Sequence, residues 1–332
     1  MGLKISPVVL GLVVVAFGSV VHFCGPCSEA AEIGPGRTGL TLTPTAVQPT
    51  PTPSPSATSS AIGEISAPIY GVTVDRTSNL SATVIALGKF SKKVTVRIVF
   101  DEGMHPADYQ DAVDQIHSVA YILGQPADSS YVVDFALDQY KARFSEYLNA
   151  FGDKVDLWEV GNEVNGEWLG PPADVSAKIL AAYDIVKAAG KKTVLTLFFN
   201  EGEDCAPSPQ YEMYSWVQNH IPERMKSGVD YVLVSYYPAS CPQYKPDWRN
   251  EFTKIGNIFP NSKLGFGELG ITGTDAQKAS MIDEFYPMQV DHPRYIKGFF
   301  WWYFCQDMVP YTNHLWGVLD QAISRWKCER SG

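Results

Sequence analysis

The chain has 332 residues, of which 45% are hydrophobic, 12% aromatic and 19% charged. That composition can build a large core and excludes a wholly disordered chain. The balance of 26 basic against 36 acidic side chains gives a formal charge of −10, which repels nucleic acid and anionic membrane surfaces and favours neutral partners.

In chain order, Lys4 precedes an apolar run over residues 8–21, followed by small residues around Ser28-Glu29-Ala30. This is the layout of a signal peptide. The run falls short of the roughly 20 apolar residues of a membrane span, so residues 1–30 are expected to be a cleaved signal peptide, with an N-terminal anchor as the alternative. Residues 31–66 are Thr, Pro and Ser with few large apolar side chains, including Pro49-Thr-Pro-Thr-Pro-Ser-Pro55, and read as an extended tether. Within it, Gly34-Pro-Gly-Arg-Thr-Gly39 matches G-x-G-x-x-G, but with no strand before it and no helix after it the match carries no nucleotide site. The protein is expected to be secreted or tethered at the cell surface, without stable membrane insertion once the signal is cleaved.

Residues 67–332 form one folded region. Short runs rich in β-branched and aromatic residues recur at 69–74, 94–100, 119–124, 155–160, 193–199, 231–236, 263–267 and 296–302. Helical patterns lie at 107–118, 136–151, 174–189, 211–220, 247–258 and 275–286, with a short last helix at 321–328. No helical pattern is read between the first two strands. Eight strands alternating with helices predict a (β/α)8 TIM barrel. The rival, an open doubly wound sheet, normally carries a glycine-rich phosphate turn after the first strand, and Asp75-Arg76-Thr77-Ser78 is not one. Only 30 residues follow Trp302, so imperfect closure is expected beside the eighth strand.

Barrel chemistry sits where strands end. The fourth strand closes on Glu163 and the seventh on Glu268, 105 residues apart, which is three βα units and puts the two carboxylates across the mouth from each other. Cleavage of a glycosidic bond needs such a pair, one to protonate the leaving oxygen and one to attack or support the anomeric carbon. Most glutamates are merely solvated, but each of these ends an apolar strand, and Gly161 and Gly267 are expected to leave open backbone beside them.

Trp158-Glu-Val-Gly-Asn162-Glu163, Gly267-Glu268, Ser235-Tyr-Tyr237-Pro and Phe300-Trp-Trp302 together resemble the retaining glycoside hydrolases of clan A. The resemblance covers the whole region after the tether and implies a (β/α)8 enzyme acting on a polysaccharide or oligosaccharide by double displacement. It implies Glu163 as acid/base, Glu268 as nucleophile, Arg97 beside the nucleophile, Asn162 on the sugar 2-hydroxyl, Tyr237 orienting Glu268, and Trp302 as a platform under the sugar ring. Glu159 is expected to pair with a buried base such as Arg97. Family 5 usually has His-x-Tyr where Ser235-Tyr236-Tyr237 stands and Asn-Glu-Pro where Asn162-Glu163-Val164 stands. Other features resemble the family 53 galactanases, so the family and substrate stay open.

Asn200-Glu201 repeats the Asn-Glu pair after the fifth strand and is read as a loop carboxylate that lines a sugar subsite at most. Asp101, Glu102 and His105 follow the second strand, where substrate contact and plain surface loop weigh equally. Trp168, Tyr236, Trp301, Tyr303, Tyr311 and Trp316 stack on sugars or pack against helices, and strand alternation turns Trp301 outward. The six histidines are scattered and H-E-x-x-H and G-x-S-x-G are both absent, so no metal or other cofactor is expected. Cys205 and Cys241 fall in adjacent loops and are expected to pair, with Cys305–Cys328 a weaker expectation, in keeping with export. A monomer is expected. The alternative function is a sugar-binding barrel without turnover, against which stands the mutual repulsion of two opposed carboxylates.

Overall fold

In the computed structural model, residues 65–202 and 205–325 are described. The expected signal peptide, the tether up to residue 64, and Cys328 lie outside them.

Eight short segments are extended because their β-branched and aromatic side chains are buried on both faces, as parallel strands covered by helices require. They are β1 (Ile69–Val74), β2 (Thr95–Val99), β3 (Tyr121–Gln125), β4 (Leu157–Gly161), β5 (Lys192–Phe198), β6 (Tyr231–Tyr236), β7 (Lys263–Leu269) and β8 (Tyr295–Trp301). Every neighbouring pair is parallel and β8 returns to β1, so the barrel is closed. The expected weak seam beside β8 is not found. Around the strands lie α1 (Leu80–Gly88), α2 (Pro106–His117), α3 (Leu137–Phe151), α4 (Pro172–Ala188), α5 (Met213–His220), α6 (Glu223–Gly228), α7 (Trp248–Ile258), α8 (Asp275–Phe285), α9 (Phe304–Asp307) and α10 (His314–Ser324). The last helix starts earlier than expected and buries Leu315, Leu319, Ala322 and Ile323, which covers the closing side. Helix α1 was not expected; it buries only Thr83, Ala86 and Leu87. Among the described residues, no helix is long and apolar enough to cross a membrane.

The barrel interior is layered. Ile69, Leu123, Leu157, Val194, Leu233, Ile296 and Phe300 form an apolar plug, while the larger apolar cluster fills the space between strands and helices. Nearer the C-terminal strand ends the interior turns polar, with Thr73, Arg97, Gln125, Glu159, Thr196 and Ser235 all buried.

Two irregularities aim the site. Along β7, Val234 of β6 pairs with Phe266 but Ser235 pairs with Glu268, so Gly267 is an extra residue in the ladder. Phe266 and Leu269 both face the outer core; the bulge breaks strict alternation between them and lets Glu268 face inward. In β4 the register likewise skips Val160, and two residues past the strand Glu163 has φ of +48°. Such left-handed backbone is rare for a glutamate and costs about 1–3 kcal/mol, so its surroundings must hold it. Val164 N–H donates to Thr196 O (3.2 Å), and the Asn165 amide both donates to Phe198 O (2.9 Å) and accepts from Phe198 N–H (2.8 Å). These contacts pin the segment after β4 to β5.

Gly161 and Gly267 do not leave open backbone, contrary to expectation. A Cβ on Gly161 would lie 2.5 Å from Val164 Cγ1, and one on Gly267 would lie 2.7 Å from Thr196 Cγ2. Both are glycines because neighbouring chain packs directly on them.

Candidate active site

Arg97, on β2, is fully buried and reaches across the barrel between two carboxylates. Its guanidinium donates to Glu268 Oε2 (2.7 Å) and to Glu159 Oε1 (2.8 Å), which is the pairing expected for Glu159. Thr196 also donates to Glu159 Oε1. The other oxygen of Glu268, Oε1, accepts the Tyr237 hydroxyl. Glu268 is thus held by a cation on one oxygen and a phenol on the other, both favouring its ionised form.

Glu163 has a different environment. Its Oε2 accepts the Ser129 hydroxyl (3.2 Å), while Oε1 is buried and the Ser235 hydroxyl also acts on the carboxyl. Asn162, next to it, accepts from the Ser129 backbone N–H at Oδ1 (3.0 Å) and turns its Nδ2 toward Glu159 Oε1 (3.4 Å). Both acids are nearly buried, 7% exposed for Glu163 and 5% for Glu268.

Burial drives Glu163 well above the usual carboxylate range, and the charges of Glu268 and Asp128 push the same way; the Ser235 and Ser129 hydroxyls oppose them. Burial also raises Glu268, but Arg97 and then Tyr237 pull it back, and it is left at about 7. Two carboxyls, one supported by a cation and one without such support, titrate apart, the unsupported one keeping its proton to higher pH. The Tyr237 phenol is itself raised by burial and by the Glu268 charge, so it stays a donor at neutral pH.

Of the six residues singled out in the sequence, Arg97, Asn162, Glu163, Tyr237 and Glu268 are brought together by these contacts. Trp302 follows β8, half-buried, with its backbone N–H on Leu269 O (2.8 Å). Trp301 is fully buried and donates its indole N–H to Asp307 (3.0 Å). Glu201 does not line the pair; it takes Lys254 of α7 at 2.7 Å, and Asn200 is spent capping the Tyr211–Met213 backbone. Asp101 accepts from Tyr109, and exposed His105 meets Glu146 of α3. Cys205 and Cys241 form a disulfide, whereas the expected partner of Cys305 lies outside the described residues. No group of three or more His, Cys, Asp or Glu able to hold a metal occurs among the described residues.

Sequence reasoning missed the loop after β3. Ser129 reaches Asn162 and Glu163 across more than 30 residues of chain, the Asp128 charge bears on Glu163, and no local motif marks either residue. Tyr303 was noted only as an aromatic, yet it flanks Gly270 together with Tyr237 and senses the Glu268 charge.

No protein-family model and no curated protein matches this chain. Among solved structures, a GH30 endoxylanase from Clostridium papyrosolvens aligns at 10% identity with a TM-score of 0.52, covering 80% of this chain and 73% of that one. A GH18 chitinase from Pseudoalteromonas aurantia aligns at 12% identity and a TM-score of 0.50, covering 76% and 98%. A glycoside hydrolase family 5 enzyme from Prevotella bryantii aligns at 15% identity and a TM-score of 0.49, covering 75% and 86%. At these identities the likeness is one of fold.

Proposed function

We propose that the protein is a glycoside hydrolase acting on a polysaccharide or oligosaccharide, with Glu268 as nucleophile and Glu163 as acid/base of a retaining double displacement. The observation that carries this reading is the unequal setting of two buried carboxyls: Glu268 lies between Arg97 and Tyr237, and Glu163 faces only neutral donors and other acids.

The reading gives each group a step. Glu268 attacks the anomeric carbon as the bond to the leaving oxygen breaks, and the Glu163 proton moves to that oxygen. Arg97 and Tyr237 favour the anionic form of the attacking carboxylate beforehand. The product is an ester between the sugar and Glu268, with Glu163 now ionised. Water then attacks the same carbon, Glu163 takes its proton, and the Glu268 carboxylate departs with the electron pair. Asn162, its Oδ1 occupied by Ser129, presents an N–H to a sugar hydroxyl, and Trp302 supplies an aromatic face for the ring. The formal charge of −10 over the whole chain suits an uncharged glycan.

The test is a screen of the secreted protein on β-mannan, β-glucan, β-galactan and aryl glycosides, with NMR of the first anomer released. Turnover with retained configuration, lost in Glu268→Ala with the fold intact, is expected. Persistent hydrolysis by Glu268→Ala contradicts the nucleophile assignment, and sugar binding with no turnover on any substrate favours a carbohydrate-binding barrel.

A further inference from the structure

Two aromatic rings at the strand ends are left out of both apolar clusters. Phe198 is the last inward-facing residue of β5: Val194 belongs to the plug and Thr196 reaches Glu159, while Leu195 and Leu197 face the outer core. Phe198 pairs with Ser235 of β6, which pairs in turn with Glu268 of β7. It therefore stands in the same rung as Glu268, two strand spacings or about 10 Å away along the sheet. Trp168 lies five residues past Glu163, in the turn Glu167–Leu169. It meets Phe198 at right angles, with ring centroids 5.2 Å apart and an interplanar angle of 82°. Phe198 is half-buried and Trp168 is 37% exposed. Both rings are fixed from behind. Gly166 N–H donates to Glu163 O (2.8 Å) and Leu169 N–H to Gly166 O (3.3 Å), Leu169 is buried, and the indole lies on Gly166, where a Cβ would come within 2.5 Å of its Cζ2 atom. At Phe198 the fully buried Asn165 amide holds both the backbone N–H and the carbonyl.

We propose that Trp168 and Phe198 form a binding site for an uncharged pyranose on the leaving side of the scissile bond, so that the protein cleaves glycans whose leaving group is itself a sugar. The inference deepens the hydrolase reading and rests on Glu163 being the acid. Aromatic surface left in water at the mouth of a barrel is stabilised by whatever covers it, and a rigid corner of two rings pays little ordering entropy when a ligand arrives. A pyranose has faces lined by C–H groups that stack on aromatic rings, while its hydroxyls project from the ring edge into water. The side of the bond follows from the topology. Strands β4 and β8 stand opposite each other in the eight-stranded barrel, so the corner built on β4 and β5 lies across the mouth from Trp302, which follows β8. Glu163, whose proton goes to the leaving oxygen, sits on the same loop as Trp168. A glycan laid over the mouth thus has the sugar that is attacked toward Trp302 and the sugar that departs toward Trp168. The acidic side chains on this rim, Asp128 and exposed Glu167, disfavour a uronic acid here and suit a neutral sugar.

The experiment measures kcat/KM of the unaltered protein, Trp168→Ala, Trp168→Phe and Phe198→Ala on two substrates that share one glycone. One is the neutral oligosaccharide cleaved fastest by the unaltered protein; the other is the glycosyl fluoride, whose leaving group carries no ring. Loss of one stacking ring predicts that Trp168→Ala falls about tenfold further on the oligosaccharide than on the fluoride. Trp168→Phe, which keeps a flat face, should recover most of that difference, and Phe198→Ala should lose in the same direction as Trp168→Ala. Should Trp168→Ala fail to fold, Trp168→Leu, apolar without a flat face, carries the same expectation. Equal losses on the two substrates, no loss on either, or hydrolysis of the fluoride with no oligosaccharide accepted overturns the leaving-side site and leaves the hydrolase reading standing. Hydrolysis of neither kind of substrate by the unaltered protein defeats the hydrolase reading itself, and this inference with it.

Discussion

Replacing Arg97 with Met removes a cation that touches both Glu159 and Glu268. Arg97 is 0% exposed and donates to these carboxylates at 2.8 and 2.7 Å. Methionine fills much of the volume, so the loss is chiefly electrostatic. Removing one partner from a buried ion pair destabilises by about 3–5 kcal/mol, because the remaining charge is left without compensation. Here two carboxylates are orphaned, although Thr196 and Asn162 still support Glu159 and Tyr237 still supports Glu268, so about 4 kcal/mol at pH 8 is a fair central value. That is a large part of the 5–15 kcal/mol by which domains are usually stable, yet leaves a folded protein. The penalty depends on pH with a definite sign. Without Arg97 both carboxyls titrate higher in the folded chain than in the unfolded one, so their contribution is retained below the unfolded values and lost as pH rises through the folded values. Urea denaturation followed by tryptophan fluorescence at pH 5 and pH 8 measures this, and the penalty should be clearly smaller at pH 5. An equal penalty at both pH values, or one under about 1 kcal/mol at pH 8, refutes the reasoning.

Tyr237→Phe removes a donor that favours the anion of Glu268; its carboxyl then titrates higher, and the acidic limb of the pH–rate profile should move up by about one unit. Asp128→Asn removes a charge that favours protonated Glu163, so the alkaline limb should move to lower pH, with no such move expected from a change in packing alone. Trp301→Ala, emptying a fully buried site, should cost about 3–5 kcal/mol in a denaturant melt, whereas Trp302→Ala should raise KM on oligosaccharides with little change in stability. Cys241→Ser opens a link spanning 36 residues, and chain entropy puts the loss at up to about 4 kcal/mol; an unchanged melting curve under reducing and oxidising conditions would count against it.

The strands were legible because both of their faces are buried, which leaves continuous apolar runs that break at polar turns. The seventh run was read as ending at residue 267, and β7 in fact continues to Leu269 through a bulge; one extra glycine is invisible to a period-two reading. Helix α1 escaped notice because Leu80–Gly88 buries only three residues and shows little amphipathic rhythm. The pairing of Glu159 with Arg97 was readable from alternation along β4 and from the cost of burying a lone charge. Alternation alone put Glu163 on the same inward face, but the skipped Val160 and the left-handed turn at Glu163 decide how that residue is aimed. Asp128 and Ser129 were beyond reach, since the Ser129 contacts to Asn162 and Glu163 and the influence of the Asp128 charge on Glu163 exist only once β3 and β4 lie side by side.

The central claim is that Glu163 and Glu268 divide the work as proton donor and nucleophile, and chemical rescue by azide tests it most directly. With an activated aryl glycoside, Glu163→Ala plus azide should release a glycosyl azide of the substrate's own configuration, because azide replaces water in the second displacement. Glu268→Ala plus azide should release the opposite anomer, formed in a single displacement. The reverse pattern, or no azide product from either variant of an active enzyme, contradicts the account.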